Sequence, residues 1–133
     1  MANLKFVRYQ LPAIVWALAI FVSSSIPADK LPELVIFKVD KLTHFVVFFL
    51  FAVLIHRAAK FQNRFPSLSH HSLMVTVVVT ILYGVVDEVH QSFVPNRDSS
   101  VMDLIADAVG ATLYATAVWL REKLRRTPKP SRG

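Results

Sequence analysis

The sequence has no cysteine, which excludes disulfides and thiolate metal sites and carries no information about redox compartment. Acids are scarce as well, nine among 133 residues against fifteen Lys and Arg, for a formal net charge of +6. An excess of that size would suit a nucleic acid if it formed a basic face beside aromatic residues or within a known motif. The chain holds no such motif, so nucleic acid is not an expected partner. Nor is there room for a separate soluble domain. Hydrophobic residues make up 54% of the chain, above the roughly 45–50% of an ordinary soluble domain, and four spans of about 20 residues with short connections use up the length. The expected fold is an all-α membrane protein, with four transmembrane helices in a small antiparallel bundle over residues 1–126.

The first apolar run extends from about Tyr9 to Ile26, behind Lys5 and Arg8. Ser23, Ser24 and Ser25 resemble the small residues of a cleavage site. The run is long for a signal peptide, however, and further spans follow, so an uncleaved helix is expected. From Pro27 to Lys41 the chain is polar and broken by Pro27 and Pro32, with Glu33 and Lys38 among its charges, a connecting loop. The second span covers about Leu42 to Ala59, its apolar surface supplied largely by Phe45, Phe48, Phe49 and Phe51, read as lipid-facing or packing residues. The third, Ser72 to Val89, is rich in β-branched residues that favour strand in water, but a span in lipid must satisfy its own backbone hydrogen bonds and helix wins. A loop from His90 to Ser100 leads to the fourth span, Val101 to Leu120, where Gly110 and alanines offer a close-packing face. The basic tail beyond Arg126, residues 127–133, is expected to be disordered. Tyr83, Tyr114, Trp16 and Trp119 are read as interface anchors or packing residues. The neighbours His70 and His71 would diverge on a helix and are read as interfacial.

Orientation follows from the Lys and Arg count. Lys5, Arg8, Arg57, Lys60, Arg64 and six residues after position 120 fall on one side, and Lys30, Lys38, Lys41 and Arg97 on the other. The positive-inside rule places both termini in the cytoplasm of a multi-pass cell-membrane protein.

Five of the nine acids fall within Tyr83 to Asp107: Asp87, Glu88, Asp98, Asp103 and Asp107. A charged side chain at mid-bilayer costs about 2.5–3.5 kcal/mol even on the lenient insertion scale, so intramembrane acids mark a functional site by default. Tyr83, Asp87 and His90 or Gln91 recur along one helical stripe, with Gly84, Glu88 and Gln91 beside it. Asp103, Asp107, Gly110 and Tyr114 share another face, and Lys41 and His44 lie one turn apart. Four antiparallel spans would bring Lys41, His44, Asp87, Glu88, Gln91, Arg97, Asp103 and Asp107 to one polar pocket, in which the acids find Lys41, His44, His90 and Arg97 as partners.

The segments DKLTHF (Asp40 to Phe45), YGVVDEVHQSFVPNRDSSVMD (Tyr83 to Asp103) and LIADAVGA (Leu104 to Ala111) resemble the VanZ-like membrane family. The family pattern maps onto Lys41, His44, Asp87, Glu88, Gln91, Pro95, Arg97, Asp103, Asp107 and Gly110, over all but the first span and the tail. Asn96 stands where the family commonly has Gly. The resemblance implies a bacterial inner-membrane protein of the cell envelope, in a family whose founding member is associated with low-level teicoplanin resistance and whose biochemical activity is not established.

Several readings stay open. In the first, the pocket binds or modifies an envelope lipid headgroup such as a polyprenyl phosphate. Lys41, His44, Gln91, Arg97 and Asp103 would then bind substrate, and Asp87, Glu88 and Asp107 would act as general acids or bases. The spacing of Arg97, Asp103 and Asp107 is faintly like a phosphatidic acid phosphatase motif, without its nucleophilic His. In the second, His44, Asp87, Glu88, His90 and Asp107 hold Zn, Mn or Mg, although no recognised metal motif is present and the cofactor is left open. In the third, the acids and Arg97 form a structural ion-pair network. A proton-coupled transport role would require oligomers, and the oligomeric state is left open.

Overall fold

The structure, a computed structural model, describes residues 2–30 and 40–126. A first helical turn, Ala2–Lys5, runs through a π-helical turn, Phe6–Gln10, into α1 (Leu11–Ser24). The wide turn comes just before Pro12, whose ring would crowd the carbonyl four residues back and which has no N–H to donate. A 3₁₀ turn, Ala28–Lys30, follows. Then come α2 (Asp40–Phe61), a short α3 (Pro66–His70), α4 (Ser72–Gln91) and α5 (Val101–Arg126). Four stretches are long and apolar enough to cross a membrane: Phe6–Ser24, Lys41–Phe61, Ser72–Gln91 and Val101–Arg126. At 1.5 Å per residue, each reaches about 30 Å, the thickness of a bilayer's hydrocarbon core. The expected all-α, four-span architecture is therefore the observed one. The calls on Glu33, Lys38 and the tail 127–133 lie outside the described residues.

The sequence reading did not anticipate α3. Pro66 occupies its first turn, and Gln62 holds the preceding Phe65 through both its backbone N–H and its carbonyl. Because α3 ends at His70 and α4 begins at Ser72, the two histidines sit at a break between helices, with their rings edge to face at 4.7 Å.

Polarity is distributed inside out. On α4 the buried residues are Ser72, Thr76, Thr80, Gly84, Asp87, Glu88 and Gln91, while Val78, Leu82, Val86 and Val89 are exposed. On α5 Asp103, Asp107, Gly110 and Ala111 are buried, while Met102, Ile105, Val109 and Leu113 are exposed. A water-soluble bundle would reverse both patterns; a lipid-solvated one requires them, because hydrocarbon offers polar groups no partner. Phe48 and Phe51 fill the core with Ile20, and Tyr83 packs against them.

Helices α2, α4 and α5 pack mutually, and α1 lies along α2 and α4. Interior hydrogen bonds hold α1 there: Trp16 Nε1 donates to the Val47 carbonyl (3.1 Å), Tyr83 Oη to the Ala17 carbonyl (2.6 Å) and Gln10 Nε2 to the Ala58 carbonyl (3.3 Å). Thus Trp16 and Tyr83 are packing residues, as is Tyr114, whose hydroxyl pairs with His56 Nδ1 at 2.8 Å. Helix α5 comes close to α2 at Gly110, where an added Cβ would stand 2.8 Å from the Phe45 carbonyl oxygen and 3.2 Å from the Phe49 nitrogen. Both are backbone atoms and cannot swing aside. Gly110→Ala should therefore lower stability by about 1–3 kcal/mol, read as a fall in thermal midpoint of the detergent-solubilised protein; an unchanged midpoint would contradict this packing.

Candidate functional site

The connection from α4 to α5 carries most of the site, and its own sequence sets its shape. Gln91 ends α4, and the Val94 N–H donates to the Gln91 carbonyl (2.9 Å). The Arg97 N–H then donates to the Val94 carbonyl (3.2 Å) across Pro95 and Asn96, and Asn96 has φ 58°. Proline at the second position, positive φ at the third and a closing hydrogen bond are the pattern of a type II turn, which favours Gly at that third position and admits Asn. Asn96 in place of the family's common Gly therefore preserves the turn.

This turn delivers Arg97 to the end of α1. Its Nε donates to the Ile26 carbonyl (3.0 Å) and its Nη2 to the Ser23 carbonyl (2.9 Å). Those carbonyls lie at the C-terminal end of a helix, where backbone acceptors lack intrahelical donors and the helix dipole favours a cation. His90 also turns to α1, stacking on Phe21 with centroids 4.4 Å apart and Nε2 2.9 Å from Ser25 Oγ.

Ser100 opens α5. Its Oγ accepts the Met102 N–H (3.2 Å), a helix N-cap, and its own N–H donates to Glu88 Oε2 (2.8 Å). In a capping box the acid that takes this N–H comes from the first turn of the same helix; here it comes from α4. Asp103, in the first turn of α5, is thereby released to reach α2, where Lys41 Nζ donates to its Oδ1 at 3.1 Å. One turn deeper, His44 Nδ1 donates to Asp107 Oδ1, also at 3.1 Å. Gly84 makes room for that carboxylate, since a Cβ there would stand 2.9 Å from Asp107 Oδ2. Gln91 Nε2 donates to Asp87 Oδ2 at 3.0 Å.

All eight expected residues thus gather at one end of the bundle, in two adjoining groups. The first lines a pocket of about 270 Å³ between α1, α2, α4 and the turn, with His44, Asp87, Gln91, Asn96, Arg97 and Asp98 on its polar side. The second, Lys41, Glu88, Asp103 and Asp107, lies between α2, α4 and α5, and His44 belongs to both. Of the three candidate acid–base residues, Asp87 lines the pocket; Glu88 and Asp107 are in the second group. Among the described residues Arg97 bonds backbone carbonyls instead of the acids expected for it. His90 stands apart from the acids it was read with.

The roles of three serines were not anticipated. Ser23 and Ser24 of α1 form part of the pocket wall; the serine run at the end of an apolar helix was visible, but a cleavage site has the same composition. Ser100 holds Glu88 through a backbone N–H, and its only sequence signal was a serine three residues before Asp103.

A model of the family described as VanZ/LLP1 matches residues 6–122, a range that includes the first span, which the motifs did not reach. No curated protein and no solved structure matches the chain.

Because Arg97 is the link between turn and helix, Arg97→Ala should destabilise this end. Hydrogen bonds from a charged donor are worth about 1.5–3 kcal/mol each, and partial exposure reduces that. A thermal midpoint below wild type and faster proteolysis between residues 24 and 30 are expected; a midpoint equal to wild type would show that the two bonds do not hold α1.

Proposed function

The chain belongs to the VanZ/LLP1 family, and from that premise we propose that its polar pocket binds the phosphate-bearing headgroup of an envelope lipid, such as a polyprenyl phosphate, at the extracytoplasmic face. The observation that carries this reading is the pocket itself: Arg97, His44, Gln91 and Asp87 meet around about 270 Å³ at one end of a bundle whose outside is apolar. An amphiphile fits such a place, with its headgroup among polar side chains and its tail along the exposed valines and leucines. The hydrogen bonds to Ser23 and Ile26 use two of the five N–H groups of Arg97, so the guanidinium retains donors for phosphate oxygens. His44 stands in the pocket wall, and Gln91 orients Asp87. Two carboxylates, Asp87 and Asp98, line the pocket, and if the headgroup is modified as well as bound, Asp87 is the one proposed to move the proton.

The orientation belongs to the same reading. Arg57, Lys60, Arg121 and Arg125 line a recess at the end opposite the pocket, so the positive-inside rule puts both termini in the cytoplasm. Altered teicoplanin susceptibility would then follow from altered handling of an envelope lipid. The paired contacts Lys41–Asp103 and His44–Asp107 favour, as a second reading, a structural network without ligand.

The two readings separate in a titration of the detergent-solubilised protein with a polyprenyl phosphate and with the matching unphosphorylated polyprenol, followed by native mass spectrometry. Retention of the phosphate alone by wild type, lost in folded Asp87→Asn and Gln91→Leu variants, is the expected result. Equal retention of both lipids, or of neither, would defeat the headgroup reading. Because the chain has no native cysteine, single Ser67→Cys and Ser99→Cys variants test orientation. An impermeant maleimide added to whole cells should label position 99 and spare position 67, and the reverse pattern would invert the topology.

A further inference from the structure

Buried carboxyl groups outnumber their cationic hydrogen-bond partners at this end of the bundle among the described residues. Asp87, Glu88, Asp103 and Asp107 are each exposed by 8% or less. The cationic or protonatable side chains hydrogen-bonded to them from the packed helices are Lys41, on Asp103, and His44, on Asp107. Arg97 is directed to the Ser23 and Ile26 carbonyls, and His90 to Ser25 and Phe21. Among the described residues, the three buried carboxylates between α2, α4 and α5, with Asp87 beside them on the pocket wall, have one ammonium and one imidazole as cationic or protonatable hydrogen-bond partners, in surroundings that penalise unpaired charge. Two carboxylate oxygens here, Glu88 Oε1 and Asp107 Oδ2, are buried with no hydrogen-bond partner among the described residues, while Glu88 Oε2 takes the Ser100 N–H. His44, Glu88 and Asp103 each offer one donor atom, and these three atoms lie within 4.8 Å of one another.

We propose that His44, Glu88 and Asp103 bind a divalent cation of the Zn²⁺ or Mn²⁺ class, with one ligand from each of α2, α4 and α5. One imidazole with two carboxylates is a donor set that these ions accept. Each ligand is also held by a group behind it. Asp107 Oδ1 takes His44 Nδ1–H, Lys41 Nζ holds Asp103 Oδ1, and the Ser100 N–H holds Glu88 Oε2. Outer partners of this kind fix the ring and carboxylate orientations that a metal requires, and a carboxylate behind a ligating histidine is the commonest of them. Three protein ligands leave coordination positions for water or a substrate oxygen, and His44 also lines the pocket. The set differs from that expected from sequence: Asp103 is in it, His90 is not, and Asp107 stands behind a ligand. The ion does not depend on the headgroup reading, since it is argued from the proximity of its three ligand atoms and the groups that hold them.

The test uses full-length protein in detergent, stripped with EDTA, desalted, and titrated with Zn²⁺ and with Mn²⁺. Binding is read by calorimetry and elemental analysis, and folding by the thermal midpoint. Wild type should bind about one ion per chain and melt at a higher temperature when loaded, and Asp107→Asn should bind about 10- to 100-fold more weakly. Glu88→Gln and Asp103→Asn should not bind stoichiometrically, whereas Glu122→Gln, at the opposite end, should bind as wild type does. Folded wild type without a stoichiometric ion, or full binding by both ligand variants, overturns the proposal. If the ligand variants fail to fold, paramagnetic Mn²⁺ on wild type decides: broadening of the His44 imidazole resonances with those of His56 spared supports the site, and the opposite pattern overturns it.

Discussion

Four carboxylates buried at one end of an apolar bundle must find their partners inside the protein, because the surrounding hydrocarbon offers none. The rest of the structure answers to that requirement. Lys41 and His44 open α2 where they can meet Asp103 and Asp107 at the start of α5. Gly110 lets those two helices approach to backbone contact, and Gly84 opens the space that Asp107 occupies. Threonines line the buried side of α4, and Thr76 returns its hydroxyl to the Ser72 carbonyl of its own helix (2.7 Å), so its polarity is satisfied locally. Partnership, more than hydrophobic burial, specifies how these helices fit, since greasy side chains have no preference between lipid and a neighbouring helix.

Backbone groups do much of the work that side chains were expected to do. The Arg97 guanidinium meets carbonyls at a helix end, and the Glu88 carboxylate meets the N–H of a helix start. Both use the unsatisfied groups that every helix terminus presents, so the two charged residues that flank the α4–α5 connection tie it down at either side. The connection is consequently well ordered by hydrogen bonds although it is short of regular structure, and it holds Asn96 in a backbone conformation that most side chains avoid.

What was legible in the sequence was whatever recurs with helical period. The stripes through Asp87 and Gln91 and through Asp103, Asp107 and Gly110 coincide with the buried faces, because a lipid-solvated helix must turn its polar side inward. From those stripes and an antiparallel arrangement, the meeting of His44 with Asp107 follows. The partners of Arg97 and Glu88 were not legible, since a backbone carbonyl or N–H has no residue identity to read. The division into a pocket and a separate interhelical group was also hidden. It depends on α1 standing beside α2 and α4, and α1 carries no charge of its own that would place it. Likewise α3 is a single turn stabilised by Pro66 and Gln62, too short for any periodicity to show.

The contacts that fasten the far end of α1 come from residues 71 and 74 positions later in the chain. At a synthesis rate of about 5–20 residues per second, roughly 4–15 s pass between the appearance of Ser23 and Ile26 and that of Arg97. The first helix to enter the bilayer thus waits longer for its partner at this end than α2 does, whose contacts span 62 and 63 residues. Until then the carbonyls at the end of α1 lack the donors that one arginine later supplies to two of them.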